Sequence, residues 1–175
     1  LVWAGRDRPE LAAPDVTLRR VEDGFLRSRG LGAALIPPLS LVTDDLGIYY
    51  DPTRESRLER LIRAPLPAGG AARAEALQKA LIAARVTKYN LPGALPDLPE
   101  GRRILVPGQV EDDASIRLGA GQIRTNLGLL QVARSANPEA VLVYKPHPDV
   151  EAGLRPGALS DPDLAGLADV TARAA

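Results

Sequence analysis

The chain has 175 residues, 45% of them hydrophobic, and its 22 Lys and Arg side chains are balanced by 22 Asp and Glu side chains. This composition is typical of a globular core, and the charge balance excludes the positive excess of a nucleic-acid-binding domain. The absence of cysteine excludes disulfides and zinc thiolate sites, and the single histidine, His147, excludes a cluster of histidines around a metal. We therefore expect neither a metal nor a cofactor.

The longest uncharged segment, residues 30–43, contains two prolines and is shorter than the roughly 20 residues that cross a bilayer. The sequence therefore predicts no transmembrane helix, and the lack of cysteine fits a reducing cytoplasm. The chain opens on the strand-like residues 1–4 and contains no methionine. We expect it to be a piece of a longer protein.

Extended segments in the first part of the chain predict strands. Residues 16–21 are rich in β-branched side chains and end at the turn Glu22-Asp23-Gly24, which indicates a short strand followed by a loop. Residues 40–43 and 48–50 flank Asp44-Asp45-Leu46-Gly47, a pattern typical of a hairpin with a tight turn.

Two helices are predicted next. The first runs to Ile62 and begins after Thr53, or one turn later after Ser56, which with Glu59 would form a capping box. The second covers residues 72–86, where apolar side chains recur at helical spacing and are expected to pack on one side. Those side chains are Ala76, Leu77, Ala80, Leu81 and Ala84.

Three prolines within residues 91–101 exclude a helix and hold the backbone extended, which indicates a boundary between two lobes. We place part of a first lobe at 1–91, a linker at 92–101 and the first part of a second lobe at 102–175.

The second lobe begins with a strand at 103–106, a helix at 125–136 and a strand at 141–144. The helix should turn Leu127, Leu130 and Ala133 inward. Elements of these lengths form a βαβ unit with parallel strands and a right-handed crossover, so the sequence predicts an α/β fold.

An acidic segment, Gln-Val-Glu-Asp-Asp-Ala-Ser at residues 109–115, directly follows the first of these strands. Ligands bind beyond the carboxyl ends of strands in parallel sheets, so its carboxylates could act as a nucleophile or stabilise an oxocarbenium-like centre. They could instead complement the dipole at the start of a helix. The pattern alone leaves both interpretations open.

The second strand ends in Lys145-Pro146-His147-Pro148-Asp149, which we expect at the same edge of the sheet. The prolines stiffen the backbone and reduce the entropy lost when Lys145 and His147 bind an anion such as phosphate. A surface turn after a strand is the alternative interpretation.

Glu22 and Asp23 could supply a general acid or base, because a carboxylate that faces a cleft can have its protonation shifted by burial and by like charges. An ordinary turn is the alternative.

Arginines are candidate clamps for a sugar carboxylate or a phosphate, although each could equally be a solvated surface charge. These are Arg27, Arg29, Arg117 and Arg124.

Six segments of the chain, taken in order, match one known family. They are residues 20–28 (RVEDGFLRS), 39–42 (LSLV), 47–51 (GIYYD), 88–90 (KYN), 107–113 (PGQVEDD) and 144–149 (YKPHPD). With these segments the chain resembles the capsule polysaccharide β-Kdo (3-deoxy-manno-octulosonate) transferases.

The resemblance implies a GT-B-like architecture of two Rossmann-like lobes, both incomplete in this chain, with the first lobe on the acceptor side and the second binding the nucleotide sugar. It implies transfer of β-Kdo from CMP-Kdo, with retention of configuration, to a glycolipid linker of the lyso-phosphatidylglycerol type in capsule biosynthesis. The reaction would take place at the cytoplasmic face of the inner membrane, with the capsule assembly and export machinery as a further partner. This piece alone is expected to be inactive.

In the family pattern the nucleophilic aspartate follows a glutamine by four residues. Gln109 therefore places the nucleophile at Asp113, or at Asp112 if the register shifts by one. Glu22 and Asp23 resemble the acidic pair that supplies the acid or base for the acceptor, with Glu22 slightly favoured.

His147 and Pro148 match the His-Pro signature that holds the donor phosphate in transferases that use nucleotide-monophosphate sugars. By the same resemblance, Lys145 would assist and Gln109 would also lie on the donor side. Two alternatives to a Kdo transferase are open. One is a transferase or epimerase of the same fold that uses a uridine diphosphate sugar, and the other is a non-catalytic capsule export or assembly factor.

Overall fold

The structure is a computed structural model. It describes residues 1–4, 6, 16–93 and 96–173. These residues fall into two compact units: unit 1 draws its residues from 1–30 and 36–90, and unit 2 from 31–35 and 91–175. In the described part of the chain, no helix has the length and hydropathy needed to cross a membrane.

Unit 1 contains a three-stranded sheet in the order β1-β2-β3. The strands are β1 (Val2–Trp3), β2 (Arg20–Asp23) and β3 (Leu41–Asp44). β1 is parallel to β2, and β2 is antiparallel to β3, with Glu22 opposite Val42. The strand predicted at 16–21 thus begins later, and Glu22 and Asp23 lie within it rather than in the following loop.

The hairpin predicted within residues 40–50 is wrong, because β3 pairs with β2 and no strand forms at 48–50. The cause is Asp44, which is 3% exposed. Its Oδ1 accepts the N–H groups of Leu46 and Gly47 at 2.8 and 2.9 Å, and its Oδ2 accepts the N–H of Arg57 at 2.8 Å. These bonds turn the chain toward the next helix instead of folding it back on β3.

Two helices follow in unit 1, α1 (Arg57–Arg63) and α2 (Gly70–Ala83). Ser56 caps α1 and forms a capping box with Glu59, which confirms the later of the two predicted starts. The packing predicted for α2 is wrong: the helix has no buried residue, and Leu77 and Ile82 are 54% and 76% exposed. Its periodic side chains are mostly alanine, which forms a helix by propensity and offers little apolar area for packing.

Unit 2 contains three parallel strands in the order β4-β5-β6. They are β4 (Arg103–Pro107), β5 (Val141–Lys145) and β6 (Val170–Thr171). The helices α3 (Ala114–Gly119) and α4 (Asn126–Ala136) connect β4 to β5, while α5 (Pro148–Glu151) and α6 (Asp161–Leu164) connect β5 to β6. The predicted βαβ unit, with its parallel strands, is confirmed.

The core of unit 2 consists of Val106, Leu130, Tyr144 and Leu164. Leu130 is fully buried on the inner side of α4, as its helical spacing predicts. In the sheet register Pro107 lies opposite Lys145, so β4 and β5 end side by side. This register brings the two segments that follow these strands to one edge of the sheet.

An ion pair joins α4 to the start of β6. Arg134 donates to Asp169 Oδ2 at 2.6 Å, and the same oxygen accepts the N–H of Leu142 at 2.7 Å. The hydrogen bond from Arg134, followed by that from Leu142, lowers the pKa of Asp169 below its usual 3.8. The pair ties the helix to the sheet and contributes stability only while Asp169 is ionised.

Candidate functional site

The acidic loop, residues 108–113, leaves β4 and is anchored to the end of β5. The N–H of Gly108 donates to the carbonyl of Lys145 at 2.7 Å. A Cβ atom at Gly108 would lie 2.7 Å from the hydroxyl oxygen of Tyr144, so a side chain at this position would displace that buried ring. The register of β4 with β5 and the hydrogen bond from Gly108 to Lys145 together place the acidic loop beside the turn that contains His147.

The buried side chain of Tyr144 lies directly beneath the start of the acidic loop, next to Gly108. Its ring is 2% exposed, and its hydroxyl has no hydrogen-bond partner within the described residues. Burial raises the pKa of Tyr144, and the negative charge of Glu111 raises it further. The phenol therefore stays neutral at physiological pH.

Asn126, the first residue of α4, holds the loop in shape and is 2% exposed. Its Oδ1 accepts the N–H of Gln109, and its Nδ2 donates to the carbonyls of Gln109 and Gly157, each at 2.8 Å. Its backbone N–H donates to Glu111 Oε1 at 2.7 Å. The buried side-chain amide of Asn126 thus fixes Gln109 and joins it to Gly157, while its backbone N–H holds the side chain of Glu111.

Gly157 has no room for a side chain. Its φ is +120°, and a Cβ atom would lie 2.8 Å from Asn126 Nδ2 and 2.9 Å from the carbonyl oxygen of Gln109. The sequence analysis missed both residues. An asparagine in the first turn of a helix and a glycine after a proline are ordinary in sequence, and only the tertiary contact reveals their role.

Asp113 is the N-cap of α3. Its Oδ1 accepts the N–H of Ser115 at 2.9 Å and the hydroxyl of Ser115 at 2.7 Å. Asp113 therefore stabilises the start of a helix, which is one of the two interpretations of the acidic segment. The cap also holds the carboxylate in one orientation at the carboxyl end of β4, so the two interpretations are compatible.

Asp112 forms an ion pair with Arg155, whose Nη2 lies 2.7 Å from its Oδ1. The hydrogen bond to Asp112 raises the pKa of Arg155. Arg117 and Arg124, the two anion-clamp candidates of unit 2, do not form this ion pair. Arg117 is in the last turn of α3, and Arg124 donates to the carbonyl of Gly121 at 2.7 Å. Sequence analysis missed Arg155.

His147 is half-buried and caps α5, with Pro148 at the first turn of that helix. Its Nδ1 accepts the N–H of Asp149 at 3.2 Å, so a neutral ring carries its hydrogen on Nε2 and can donate from there. Lys145 Nζ lies 3.5 Å from the carbonyl oxygen of Ala172. Two residues with donor groups thus stand at the carboxyl end of β5.

In unit 1, Asp23 Oδ2 forms an ion pair with Nε of Arg27. Arg27 is 6% exposed and also donates to Ser28 Oγ at 3.0 Å and to the carbonyl of Ile36 at 2.7 Å. Its guanidinium is thus engaged by internal partners, whereas Arg29 is exposed. The Oδ1 atom of Asp23 is buried without a hydrogen-bond partner among the described residues.

Glu22 lies at one end of a row of three aromatic rings. Its Oε1 accepts the N–H of Asp23 at 2.9 Å, and its Oε2 lies 3.5 Å from the hydroxyl of Tyr50. The ring of Tyr50 meets that of Tyr49 edge-on at 5.3 Å, and Tyr49 in turn lies 5.2 Å from Phe25. Two of the motif segments, 20–28 and 47–51, are thus brought together at this carboxylate.

A third motif segment supports the first. The carbonyl of Lys88 accepts the N–H groups of Arg27 and Ser28 at 2.9 and 3.2 Å. The side-chain amide of Asn90 donates to the carbonyl of Ser28 at 2.9 Å. Asn90 has φ +50°, a backbone conformation that asparagine tolerates better than most residues. Residues 88–90 therefore hold the chain that follows Glu22 and Asp23.

Across the described residues, no group of three or more His, Asp or Glu side chains is arranged to hold a metal ion.

Comparison with known proteins identifies the chain's relatives. A family model described as capsule polysaccharide biosynthesis protein matches residues 5–94 and 95–161. The chain is 48% identical over 163 residues to the capsule polysaccharide modification protein LipA of Neisseria meningitidis, an alignment that covers 91% of this chain and 23% of LipA. It is 43% identical over 162 residues to the lipopolysaccharide-processing protein LpsZ of Rhizobium meliloti, covering 89% of this chain and 37% of LpsZ.

Two solved structures share the fold, both of Thermosulfurimonas dismutans KpsC. The β-Kdo 2,4 transferase has a TM-score of 0.70 and 36% identity over 82% of this chain and 47% of that chain. The β-Kdo 2,7 transferase has a TM-score of 0.67 and 37% identity over 90% of this chain and 46% of that chain. This chain therefore spans about half of each solved chain and a smaller share of the curated relatives. By these matches the chain belongs to the capsule polysaccharide biosynthesis protein family, as the order of its six motifs predicts.

Proposed function

We propose that the protein is a retaining glycosyltransferase that moves β-Kdo from CMP-Kdo to a glycolipid linker in capsule polysaccharide biosynthesis. One observation carries the proposal: the acidic loop and the turn with His147 meet at the carboxyl edge of parallel strands. This arrangement occurs in a chain that is 36–37% identical to two named β-Kdo transferases. That edge is where α/β sheets bind nucleotide ligands.

On the donor side, His147 and Lys145 would bind the phosphate of CMP-Kdo. The Nε2–H of a neutral His147 and the ammonium of Lys145 can each donate to a phosphate oxygen, and Pro148 fixes the backbone that carries them. Gln109 would complete the donor side from the acidic loop. The leaving nucleotide carries a single phosphate, so a few such donors are enough to offset its charge.

We assign the nucleophile to Asp113. Its carboxylate would attack the anomeric carbon of Kdo, form a glycosyl ester and release CMP, which takes the electron pair of the broken bond. The acceptor hydroxyl would then displace the ester from the opposite face, which restores the configuration. Asp112 is the weaker candidate, because a carboxylate bound to a guanidinium is less nucleophilic than one that accepts hydrogen bonds from neutral donors.

We assign the acid or base that serves the acceptor to Glu22, with Asp23 as the alternative. Asp23 is engaged by the buried Arg27, whereas the carboxylate of Glu22 lies 3.5 Å from the phenol oxygen of Tyr50. A carboxylate in this setting can take the proton from the acceptor hydroxyl as that hydroxyl attacks.

At the level of the whole protein, we propose a GT-B-like enzyme in which unit 1 belongs to the acceptor lobe and unit 2 to the donor lobe. The acceptor would be a lyso-phosphatidylglycerol-type Kdo linker, and the protein would act in the cytoplasm at the surface of the inner membrane beside the capsule assembly and export machinery. The isolated chain is expected to be inactive, since it spans about half of the solved transferase chains.

The test uses the full-length protein with a synthetic β-Kdo-terminated glycolipid. CMP-Kdo should support transfer and a uridine diphosphate sugar should not, and nuclear magnetic resonance of the product should show a new β linkage. Transfer from the uridine diphosphate sugar alone would replace the Kdo assignment. Binding of glycan without turnover of any donor would favour the non-catalytic assembly factor.

A further inference from the structure

Aromatic residues are rare in this chain, and half of them gather at one place. The sequence contains one Trp, one Phe and four Tyr. Phe25, Tyr49 and Tyr50 form a continuous group, here called the aromatic cluster, with ring centroids 5.2 and 5.3 Å apart. Such a concentration in a chain with 3% aromatic residues calls for a physical reason.

The outer member of the cluster is exposed although it is wholly apolar. Phe25 is 54% exposed, whereas Ile48, between the cluster and the preceding turn, is 2% exposed. The interplanar angle between Phe25 and Tyr49 is 49°, so their rings are tilted rather than stacked face to face. Tyr49 therefore contacts the Phe25 ring while about half of Phe25 stays exposed.

The backbone around Phe25 is held on both sides by Ser40. The N–H of Gly24 donates to the carbonyl of Ser40 at 2.9 Å, and the hydroxyl of Ser40 donates to the carbonyl of Leu26 at 2.5 Å. A Cβ atom at Gly24 would lie 2.0 Å from Ser40 Oγ, which requires glycine there. An exposed ring on a fixed backbone is preordered for contact with a ligand, because little entropy is lost on binding.

The other end of the cluster leads to a carboxylate. The hydroxyl of Tyr50 lies 3.5 Å from Glu22 Oε2. A pyranose ring presents an apolar face of C–H groups and an edge of hydroxyl groups. A row of aromatic rings that ends at a phenol and a carboxylate offers both, with area for the C–H groups and polar atoms for the hydroxyls.

We propose that the aromatic cluster, together with Glu22, binds one sugar ring of the acceptor, with the apolar face of that ring on Phe25. This inference rests on the proposed function and extends it by naming where the acceptor carbohydrate is held. A cytosine ring could also stack on an aromatic side chain, and a rise in the KM for CMP-Kdo on loss of Phe25 would identify that occupant instead.

The test compares full-length wild type with Phe25→Ala, Phe25→Tyr and the control Leu39→Ala. Leu39 is an apolar residue of unit 1 that is 84% exposed and lies outside the cluster. Phe25→Ala should raise the KM for a β-Kdo-terminated acceptor by about 5- to 20-fold through loss of aromatic contact area, with the KM for CMP-Kdo unchanged. Phe25→Tyr should restore most of the acceptor affinity, and Leu39→Ala should behave as wild type.

A second measurement does not need turnover. Saturation-transfer difference spectra of the methyl β-glycoside of Kdo should show contact with wild-type protein and a weaker signal with Phe25→Ala. If Phe25→Ala does not fold, Phe25→Leu keeps the apolar volume but lacks the aromatic face, and it should show the same loss.

The outcomes separate this inference from the proposed function. If wild type transfers Kdo and the acceptor KM of Phe25→Ala is within twofold of wild type, the aromatic cluster is not the acceptor site, although the proposed function stands. A rise in the KM for CMP-Kdo alone would also overturn the inference. If wild type transfers nothing, the proposed function fails, and equal glycoside signals for wild type and Phe25→Ala would then overturn the inference separately.

Discussion

Replacing Asn126 by alanine tests whether one buried amide sets the shape of the acidic loop. The substitution removes three side-chain hydrogen bonds of 2.8 Å, two with Gln109 and one with Gly157, at a residue that is 2% exposed. Each such bond contributes about 0.5–1.5 kcal/mol net, so the loop should lose about 2–4 kcal/mol of local stability. That loss corresponds to about 30- to 700-fold more frequent opening of the loop.

Hydrogen exchange of the full-length protein, followed by mass spectrometry, measures that opening directly. Peptides that cover residues 108–113 should exchange faster in Asn126→Ala, because the N–H of Gln109 loses its acceptor. Asn137→Ala is the matched control, since Asn137 makes one side-chain bond, to the carbonyl of Ala133 at 3.1 Å, at the other end of the same helix. It should leave the loop peptides unchanged.

Asn126→Asp gives a pH-dependent version of the same test. A carboxylate at this position still accepts from Gln109 but faces two carbonyl oxygens to which it cannot donate, whereas a protonated carboxyl can donate to one of them. Exchange of the loop peptides should therefore slow, relative to wild type, as the pH is lowered. Loop exchange within twofold of wild type in both Asn126 variants would refute the reasoning.

Three further predictions concern the donor turn, the acid or base and the pH dependence of stability. His147→Ala should weaken CMP binding by about 1–3 kcal/mol and, because the ring also caps α5, lower the free energy of unfolding by about 1 kcal/mol; unchanged binding with a much lower Tm would show that the ring is only structural. Glu22→Gln should lower turnover by about 10²- to 10⁴-fold with a smaller effect on donor affinity, and the role moves to Asp23 if only Asp23→Asn does so. Because the pKa of Asp169 is lowered in the folded state, its ion pair with Arg134 contributes stability above pH 3.8, and this contribution is lost as the pH falls through the folded pKa. The Tm difference between wild type and Asp169→Asn should therefore be largest near neutral pH and shrink below about pH 4; a difference that is constant with pH would contradict this.

The βαβ unit was predictable because its elements carry strong patterns. Residues 104–106 and 141–144 are continuous apolar runs, and Thr125 caps a helix whose apolar side chains recur at helical spacing. Helices α5 and α6, of four residues each, and the two-residue strand β6 have no periodicity to detect. The two helices begin at side-chain caps, where His147 and Ser160 each accept one N–H group of the first turn.

Unit 1 was harder to predict because polar residues direct its chain. Asp44 lies in a Thr-Asp-Asp-Leu-Gly sequence that is typical of a hairpin turn, but its buried carboxylate binds backbone groups on both sides of the turn. Of the two predicted helix starts, Ser56 is the one that caps α1, while the hydroxyl of Thr53 donates to Asp51 Oδ1 at 2.7 Å. At Asp44 the bond to the N–H of Arg57, 13 residues away, overrides the local turn preference.

The candidate site was predictable to the level of segments but not of partners. The register of β4 and β5 brings the acidic loop and the turn with His147 to one edge, as expected for parallel neighbours. The cation that binds Asp112 is Arg155, 43 residues away, and no spacing rule connects them. The sequence predicts Asn126 only as a helical residue, because its bonds to Gln109 and Gly157 depend on how the acidic loop folds against α4.

Detection of the covalent intermediate tests the central claim most directly. Full-length enzyme would be incubated with CMP-Kdo without acceptor, and its intact mass and peptides analysed beside those of Asp113→Asn. That variant keeps an oxygen that can accept from Ser115 at the start of α3, so the cap is preserved while the nucleophile is removed. The account predicts a Kdo adduct on Asp113 in wild type, and no adduct or transfer but near-normal CMP binding in Asp113→Asn. An adduct on Asp112 would shift the assignment by one residue, whereas full transfer activity in both Asp113→Asn and Asp112→Asn would contradict a nucleophile in this loop.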